Sequence, residues 1–543
     1  MKKSKRMLAL LLTLILAVSS VTFTGCSSKS ESAGSSRATF VYAMGSSWDT
    51  LFPYGGSAED YGRSTWEYMY GTMVLIDNSD EILDYMVIPS KSTSSADGKS
   101  FTFKVNTDMK WSDGEKYGAE DWLYTFKTIT DPSVVCTMKN YFNIFKGIDA
   151  NGNLESGASI SDAITVDGDT FTVYLDDATN IDSFLYTYNN YFFVMPEHAL
   201  KDIAPADVPN STYWNKPLTT GPFVLESEVA GSQLTFKRNE HFPLWDEYSN
   251  IDSMVIKVAG TDVMVEGIAS GEINYVMSTL SAGDCAEAVE LEGVSGEPME
   301  EATMIVFMAI NNQTITDARV RRALDLALNR DYMCKQIMGG HAFAVNTFER
   351  SKYLNKDIKA EYNLSKAKEL LDAAAADGKF DYSKPIQAGI VSGFREQIAS
   401  VLKNDLATIG VTLNIVTGDA TTINGKMQES GAYDICLVGG GMSADPTWPM
   451  NALFNPAIAN YSQVKDSKYY DMCVAINAEQ DEAKRTELVK EFQKVVYEEA
   501  PYVFVFTMES WKLYSSSLVF ESGKSSGTLT STMPRFWTCK INK

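Results

Sequence analysis

Histidine is almost missing from this chain: His198, His241 and His341 are the only three in 543 residues, and they stand far apart. A zinc or nickel centre built from imidazoles has no ligand cluster to start from, and each ring reads as a structural residue. Beyond the first 25 residues no apolar run approaches the ~18 residues that a membrane-spanning helix requires. Cysteine is sparse and scattered. After Cys26 come Cys136, Cys285, Cys334, Cys436, Cys473 and Cys539, with no C-x-x-C among them, and the sequence leaves open whether they pair or stay buried as free thiols. No fixed-period repeat is present. Basic residues are outnumbered, 47 against 70 acidic, for a net charge of −23. Residues 1–25 hold four of the basic side chains and none of the acidic ones, so the remainder carries 43 against 70, or −27. A surface that acidic disfavours nucleic acid and anionic lipid as partners.

Catalytic motifs fail in the same way. Gly523-Lys524-Ser525-Ser526-Gly527 matches G-x-S-x-G by letters, but it lies in a Ser/Gly-rich loop rather than on a strand–turn–helix elbow. The same stretch contains GKS, yet a phosphate-binding loop needs glycine where Leu518 stands. The run starting at Asp149 resembles a calcium loop until its sixth and twelfth positions, Leu154 and Ile160, where glycine and glutamate are required; a surface turn fits it better. Arg319, Arg321 and Arg322 cluster on a helix and read as a salt-bridging face. The chain reads as a non-enzyme without metal or cofactor.

What the sequence does have begins at its start. MKKSKR followed by MLALLLTLILAV is a basic segment and a short apolar one, the pattern of a secretory signal. Phe23-Thr24-Gly25-Cys26 resembles the lipobox of bacterial lipoproteins, in which the cysteine receives a diacylglyceryl group and becomes the new N-terminus. The resemblance makes Cys26 the lipidation site and places the protein on the extracytoplasmic face of a cell membrane. SSKSESAGSSRA then reads as a flexible tether.

Further along, ATFVYAM (38–44) reads as a strand, 64–77 as a short helix, KSFTFKVNTDMKW (99–111) as a strand and 119–129 as a helix bearing Trp122, Leu123 and Phe126 on one side. AITVDGDTFTVYL (163–175) carries a hairpin signal around Asp167-Gly168-Asp169, and strands are expected within 221–239 and 254–260. Later segments alternate: a long helix over 317–340, another over 363–378, a helix and strand over 395–419, and a helix, a break at Pro501 and a strand over 484–510. Strands early and α/β alternation late argue for separate mixed α/β lobes.

Seven segments, in order, resemble the family 5 solute-binding proteins of ABC transporters, which include oligopeptide, dipeptide and nickel binders. They are MKWSDGEKYGAEDWLYTFK (109–127, with Trp122 where valine is usual), LTTGPFVL (218–225), FKRNEHFPLW (236–245), MAINNQTITDARVRRALDLALNRDYMCKQIMGGHA (308–342), YNLSKAKELLDAAAADG (362–378), YDICLVGGGMSADPTWPMNALFNP (433–456) and EEAPYVFVF (498–506). Most of these positions read as scaffold: Val320, Leu324 and Leu328 recur at helical spacing and pack inward.

The resemblance implies an α/β, periplasmic-binding-protein-like clamp of two lobes (type II, cluster C) with an additional small domain. Its implied organisation is a signal peptide over 1–25, a tether over 26–37, lobe I over 38–76, 206–312 and 507–543, an extra domain over 77–205, and lobe II over 313–506. The chain would cross between lobes near Asn311 and near Pro501. The function implied is lipid-anchored capture of a peptide by cleft closure and its delivery, by a monomer, to ABC permease subunits; the alternatives are a sugar, a metal chelate or a signalling peptide on the same fold, and, remotely, an extracellular hydrolase. Asp445 aligns with an aspartate that meets a peptide's α-ammonium in the family; a turn cap before Pro446 is the plainer reading. Met442 stands where the family often has tryptophan, and Gly439-Gly440-Gly441 replaces a bulkier segment, departures that leave more room. Trp448 and Trp48 are expected as aromatic walls or core residues, and Glu59 lies in the early loop that lines the family's cleft.

Overall fold

A computed structural model describes residues 37–56, 61–77, 80–276, 280–299, 301–350, 352–447, 453–456, 460–521 and 535–542. Its organising elements are three sheets. The first has seven strands in the order Val294–Pro298, Trp511–Ser515, Tyr275–Val276, Ala38–Met44, Ile251–Val258, Gln233–Arg238 and Phe223–Val229. Ala38–Met44 sits centrally and runs parallel to both neighbours. Phe40, Tyr42 and Met44 enter one core, while Ala43 on the opposite face meets Met264, Ile268 and Leu513 in another. The period of two therefore serves a strand covered on both sides.

The second sheet has six strands, ordered Ala342–Ala344, Tyr502–Met508, Met304–Ile310, Ile435–Gly441, Ile386–Val391 and Leu413–Gly418. Met304–Ile310 reads MIVFMAI, an unbroken apolar run, because both of its faces are buried. Val306, Met308 and Ile310 pack with Leu324, Leu371 and Leu402 on one side. Ile305, Phe307 and Ala309 pack with Tyr353, Phe454 and Phe492 on the other.

A small four-stranded sheet, Thr93–Ser94, Ser100–Lys104, Thr170–Tyr174 and Ile164–Asp167, forms the extra unit. The expected hairpin is its last pair, turning at Gly168. Helix Ala119–Thr130 covers the sheet. Trp122 is fully buried, stacks on Phe171 at 5.0 Å and donates its indole N–H to the Tyr117 hydroxyl at 2.6 Å. Its core runs without a break into that of the first sheet, so the extra unit and the first lobe share one interior. Among the described residues no helix is long and apolar enough to cross a membrane.

Several boundaries differ from the sequence reading. Met304–Ile310 belongs to the second sheet, so the chain leaves the first lobe after Pro298, not near Asn311. It returns after Met508, not at Pro501, since Tyr502–Met508 is also a second-sheet strand. An apolar run carries no mark of which sheet it will join. The expected helix over 64–77 forms as Tyr61–Tyr70 and stops at Gly71, whose φ of 69° is left-handed and whose Cβ would lie 2.7 Å from the Met86 sulfur. The long helix over 317–340 breaks into Ala318–Leu326, Arg330–Tyr332 and a π-turn, Met333–Ile337. Asn329 restarts it by accepting the Tyr332 N–H at 3.1 Å. The break lets buried Arg330 pair with Asp325 and donate to the Phe504 carbonyl at 2.7 Å. The arginine cluster is structural: Arg319 pairs with Asp317 and Asp377, each at 2.8 Å, and Arg321 donates to the Glu499 carbonyl at the end of helix Glu482–Glu499. The loop at Asp149 is a turn closed on the backbone N–H groups of Asn151 and Asn153.

Trp122→Ala is expected to lower unfolding free energy by about 3–5 kcal/mol, because a stacked, hydrogen-bonded ring leaves a cavity that its neighbours cannot fill. Denaturant titration followed by circular dichroism measures this; a loss under about 1 kcal/mol would show that the extra unit's core does not depend on it.

Candidate functional site

The seam between the lobes is built from short segments that meet edge to edge. The two crossing segments run side by side: the Met299 N–H donates to the Ser510 carbonyl at 2.7 Å, and the Thr303 and Ser510 hydroxyls lie 2.6 Å apart. Met442, at the end of Ile435–Gly441, donates its N–H to the Thr303 carbonyl at 2.8 Å. The loop carrying Asp445 is thereby tied to the crossing.

Asp445 is buried, and its carboxylate is fully engaged. Oδ1 lies 3.1 Å from Nη2 of Arg485 and accepts from the Ser183 hydroxyl at 2.8 Å and the Thr447 N–H at 3.1 Å; Oδ2 accepts from the Thr447 hydroxyl at 2.9 Å. Arg485, with a fully buried side chain, also donates to the Ser183 hydroxyl, to the Tyr353 hydroxyl at 3.1 Å and to the Ile476 carbonyl at 3.3 Å. Asp445 therefore does not present the open carboxylate expected of it. A dry carboxylate beside a dry guanidinium pairs with it, since either alone is very costly. Ser183 comes from the extra unit, on helix Ile181–Tyr188, so this ion pair also joins the lobes. Asn180 caps that helix through the Asp182 N–H while donating its own N–H to the Asn477 carbonyl at 2.6 Å and its amide to the Glu479 carbonyl at 3.1 Å. Gln480 donates back to the Thr179 carbonyl at 2.9 Å. Arg350 pairs with Asp80 at 3.1 Å and with Glu301 at 3.8 Å.

Of the residues named from sequence, Met442 and Asp445 fall in this seam. Met442 packs against the cluster containing Phe307 and Phe504. Trp48 does not join them. It sits in the first lobe's core with its indole N–H on Glu228 at 2.7 Å. Glu59, Trp448, Cys26 and the 523–527 loop lie outside the described residues.

Sequence reasoning missed Arg395 and Glu349. Arg395 opens helix Phe394–Thr408, at the carboxyl end of strand Ile386–Val391. Ligands of open α/β sheets bind off such strand ends. Its Nη2 lies 2.4 Å from where a Cβ on Gly439 would sit, so the glycine is what admits the guanidinium. Arg395 is half-buried, its Nε has no hydrogen-bond partner, and among the described residues no acidic side chain pairs with it. Burial pulls its pKa down, and only the Cys436 thiol acts against that. The three glycines were the signal available in the sequence: missing side chains leave space that another residue must occupy. Glu349 is buried beside Asp445 and Arg485. Burial first, then Asp445, push its carboxyl well above the usual range, with Arg485 opposing them.

A family model described as bacterial extracellular solute-binding proteins, family 5, matches residues 85–461. The oligopeptide-binding protein AppA of Bacillus subtilis is 22% identical over 542 residues, covering 92% of this chain and 94% of AppA. Di/tripeptide-binding protein 1 of Pseudomonas aeruginosa is 26% identical over 446 residues, covering 76% and 79% respectively. The crystal structure of the ABC transporter substrate-binding protein CtaP of Listeria monocytogenes superposes with a TM-score of 0.77 at 16% identity, over 94% of this chain and all of that one. This likeness establishes the two-lobed fold.

Arg485→Met is expected to destabilise the protein by about 3–5 kcal/mol, since it strands the Asp445 charge in a dry site. Pairing it with Asp445→Asn should recover most of that loss in a double-mutant cycle. Strict additivity of the two changes would mean that the ion pair is not coupled.

Proposed function

The chain belongs to family 5 of the bacterial extracellular solute-binding proteins, and from that premise we propose that it captures short peptides between its lobes, without altering them, for delivery to the permease of an ABC importer. The observation that carries the reading is Arg395: a half-buried guanidinium with no carboxylate partner among the described residues, set against Gly439, the first of three successive glycines that pair with Met304–Ile310 on one edge and extend beyond the pairing with Ile386–Val391 on the other, an edge an extended chain can join. Such a cation receives a ligand's carboxylate as a bidentate pair. The names of AppA and of di/tripeptide-binding protein 1 support the same substrate class.

Met442 and Asp445 shape the amino-terminal half of the cleft in this reading, with Asp445 acting through Arg485, and Trp48 is a core residue. The ligand contacts both lobes and so favours closure by its differential affinity for the closed state. Cys26 carries the lipid that holds the protein on the outer membrane face as a monomer.

Peptides of two to six residues are expected to raise the melting temperature, ligand at 100 times its Kd adding about 2.7 kcal/mol of stability, and to be recovered uncleaved. Arg395→Ala should weaken free-carboxylate peptides by about 2–5 kcal/mol while sparing C-amidated ones. A response to sugars or metal chelates but to no peptide would overturn the reading, and equal losses for both peptide forms would remove Arg395 from it. Cys26→Ser is expected to move the protein from the membrane fraction to the medium; retention at the membrane would rule out that anchor.

A further inference from the structure

The loop after edge strand Ala342–Ala344 carries the least satisfied polar groups of the seam. Phe348 turns into the second lobe's core, 5.0 Å from Phe504 and 5.9 Å from Phe492 between ring centroids, and so fixes the residues on either side. Asn346 is 8% exposed, and neither atom of its amide has a hydrogen-bond partner. Glu349 is also 8% exposed, and its Oε1 is buried without one. Buried polar atoms are nearly always paired, so two residues of one loop, three apart in sequence, that are not call for a ligand. The neighbouring Asp445 cannot serve, because its oxygens are taken by Arg485, Ser183 and Thr447. Among the described residues of this loop, the buried acceptors left are Glu349 Oε1 and Asn346 Oδ1.

The charged and titratable groups facing Glu349 are Asp445, Arg485 on helix Glu482–Glu499, and the buried Cys473 thiol on helix Lys468–Ala478. Arg485 is already matched by Asp445, so little positive charge is left to hold a second carboxylate in the empty site.

We propose that Glu349, assisted by Asn346, receives the ammonium group of the captured ligand and gives up a proton as it does so, making capture of amino-terminated ligands proton-coupled. The balance is simple. A neutral carboxylic acid and an ammonium enter; a carboxylate–ammonium pair remains; the acid's proton leaves to solvent. No electron moves and no covalent bond other than O–H breaks. The inference rests on the peptide reading above and assigns the amino end of the same ligand.

The test is calorimetric titration of the full chain with di- to hexa-alanine, free and N-acetylated, in phosphate and in Tris, whose ionisation heats differ. Infrared spectra of the carboxyl region accompany it. For free peptides about one proton should be released per ligand at neutral pH, with affinity rising about tenfold per pH unit while Glu349 is protonated in the empty protein. N-acetylated peptides should release none. The empty protein should show a protonated-carboxyl band that disappears on saturation and is missing from Glu349→Gln, and that variant should bind free peptides without proton release. Unchanged proton release in Glu349→Gln, no release in the native protein, or a carboxyl band indifferent to bound peptide would each overturn the proposal while leaving peptide capture intact. Failure of every peptide to bind the native protein would remove the peptide reading, and this inference with it. The native infrared and calorimetric measurements decide the matter even if the variant folds poorly.

Discussion

The ion pair between Asp445 and Arg485 is the interaction on which the seam depends. Both side chains are dry, and neither charge is tolerable there without the other. Because the Ser183 hydroxyl bonds to both partners, the pair is complete only when helix Ile181–Tyr188 of the extra unit lies against the second lobe. A requirement of charge burial thus becomes a requirement on how two bodies meet. It also limits what is left in the seam: with Asp445 engaged, Glu349 Oε1 and Asn346 Oδ1 are buried without a partner, and among the described residues no acidic side chain pairs with Arg395.

The extra unit matters because it is fused to the first lobe through one interior. Phe101, Trp122 and Phe171 share a cluster with Phe40, Tyr42 and Phe236, so the small sheet cannot shift without disturbing the large one. The contacts that reach the second lobe, from Asn180, Ser183 and Asp80, are therefore made by a rigid arm. The second lobe answers with its own rigid parts: the core on both faces of Met304–Ile310 holds the Asp445 loop through Met442 and Thr303.

Local signals in the sequence were read well where one residue decides the outcome. Asp167-Gly168-Asp169 marked a hairpin, Asn363 and Gly378 framed a helix over Leu364–Ala376, and Pro501 marked the break before a strand. The seven motif segments were legible for the same reason: they are scaffold, and scaffold is written in turns, caps and periodic apolar residues. Reading failed where the outcome depends on distant partners. MIVFMAI does not say which sheet it enters. The helix after Asp317 breaks because Arg330 has a carbonyl to reach on Tyr502–Met508. Trp48 became a core residue because Glu228 lies across from it. Asp445 was found, but its partner Arg485 lies 40 residues further along the chain, and nothing local announces it. Arg395 and Glu349 were missed because their distinction is the lack of a partner, a property only the folded arrangement reveals.

The chain crosses between lobes after Pro298 and again after Met508, and the two crossings are stitched to each other by Met299, Thr303 and Ser510. On the reading proposed above, closure would turn about this one joint, and the bonds from Asn180, Ser183 and Asp80 to the second lobe are what reopening would have to break.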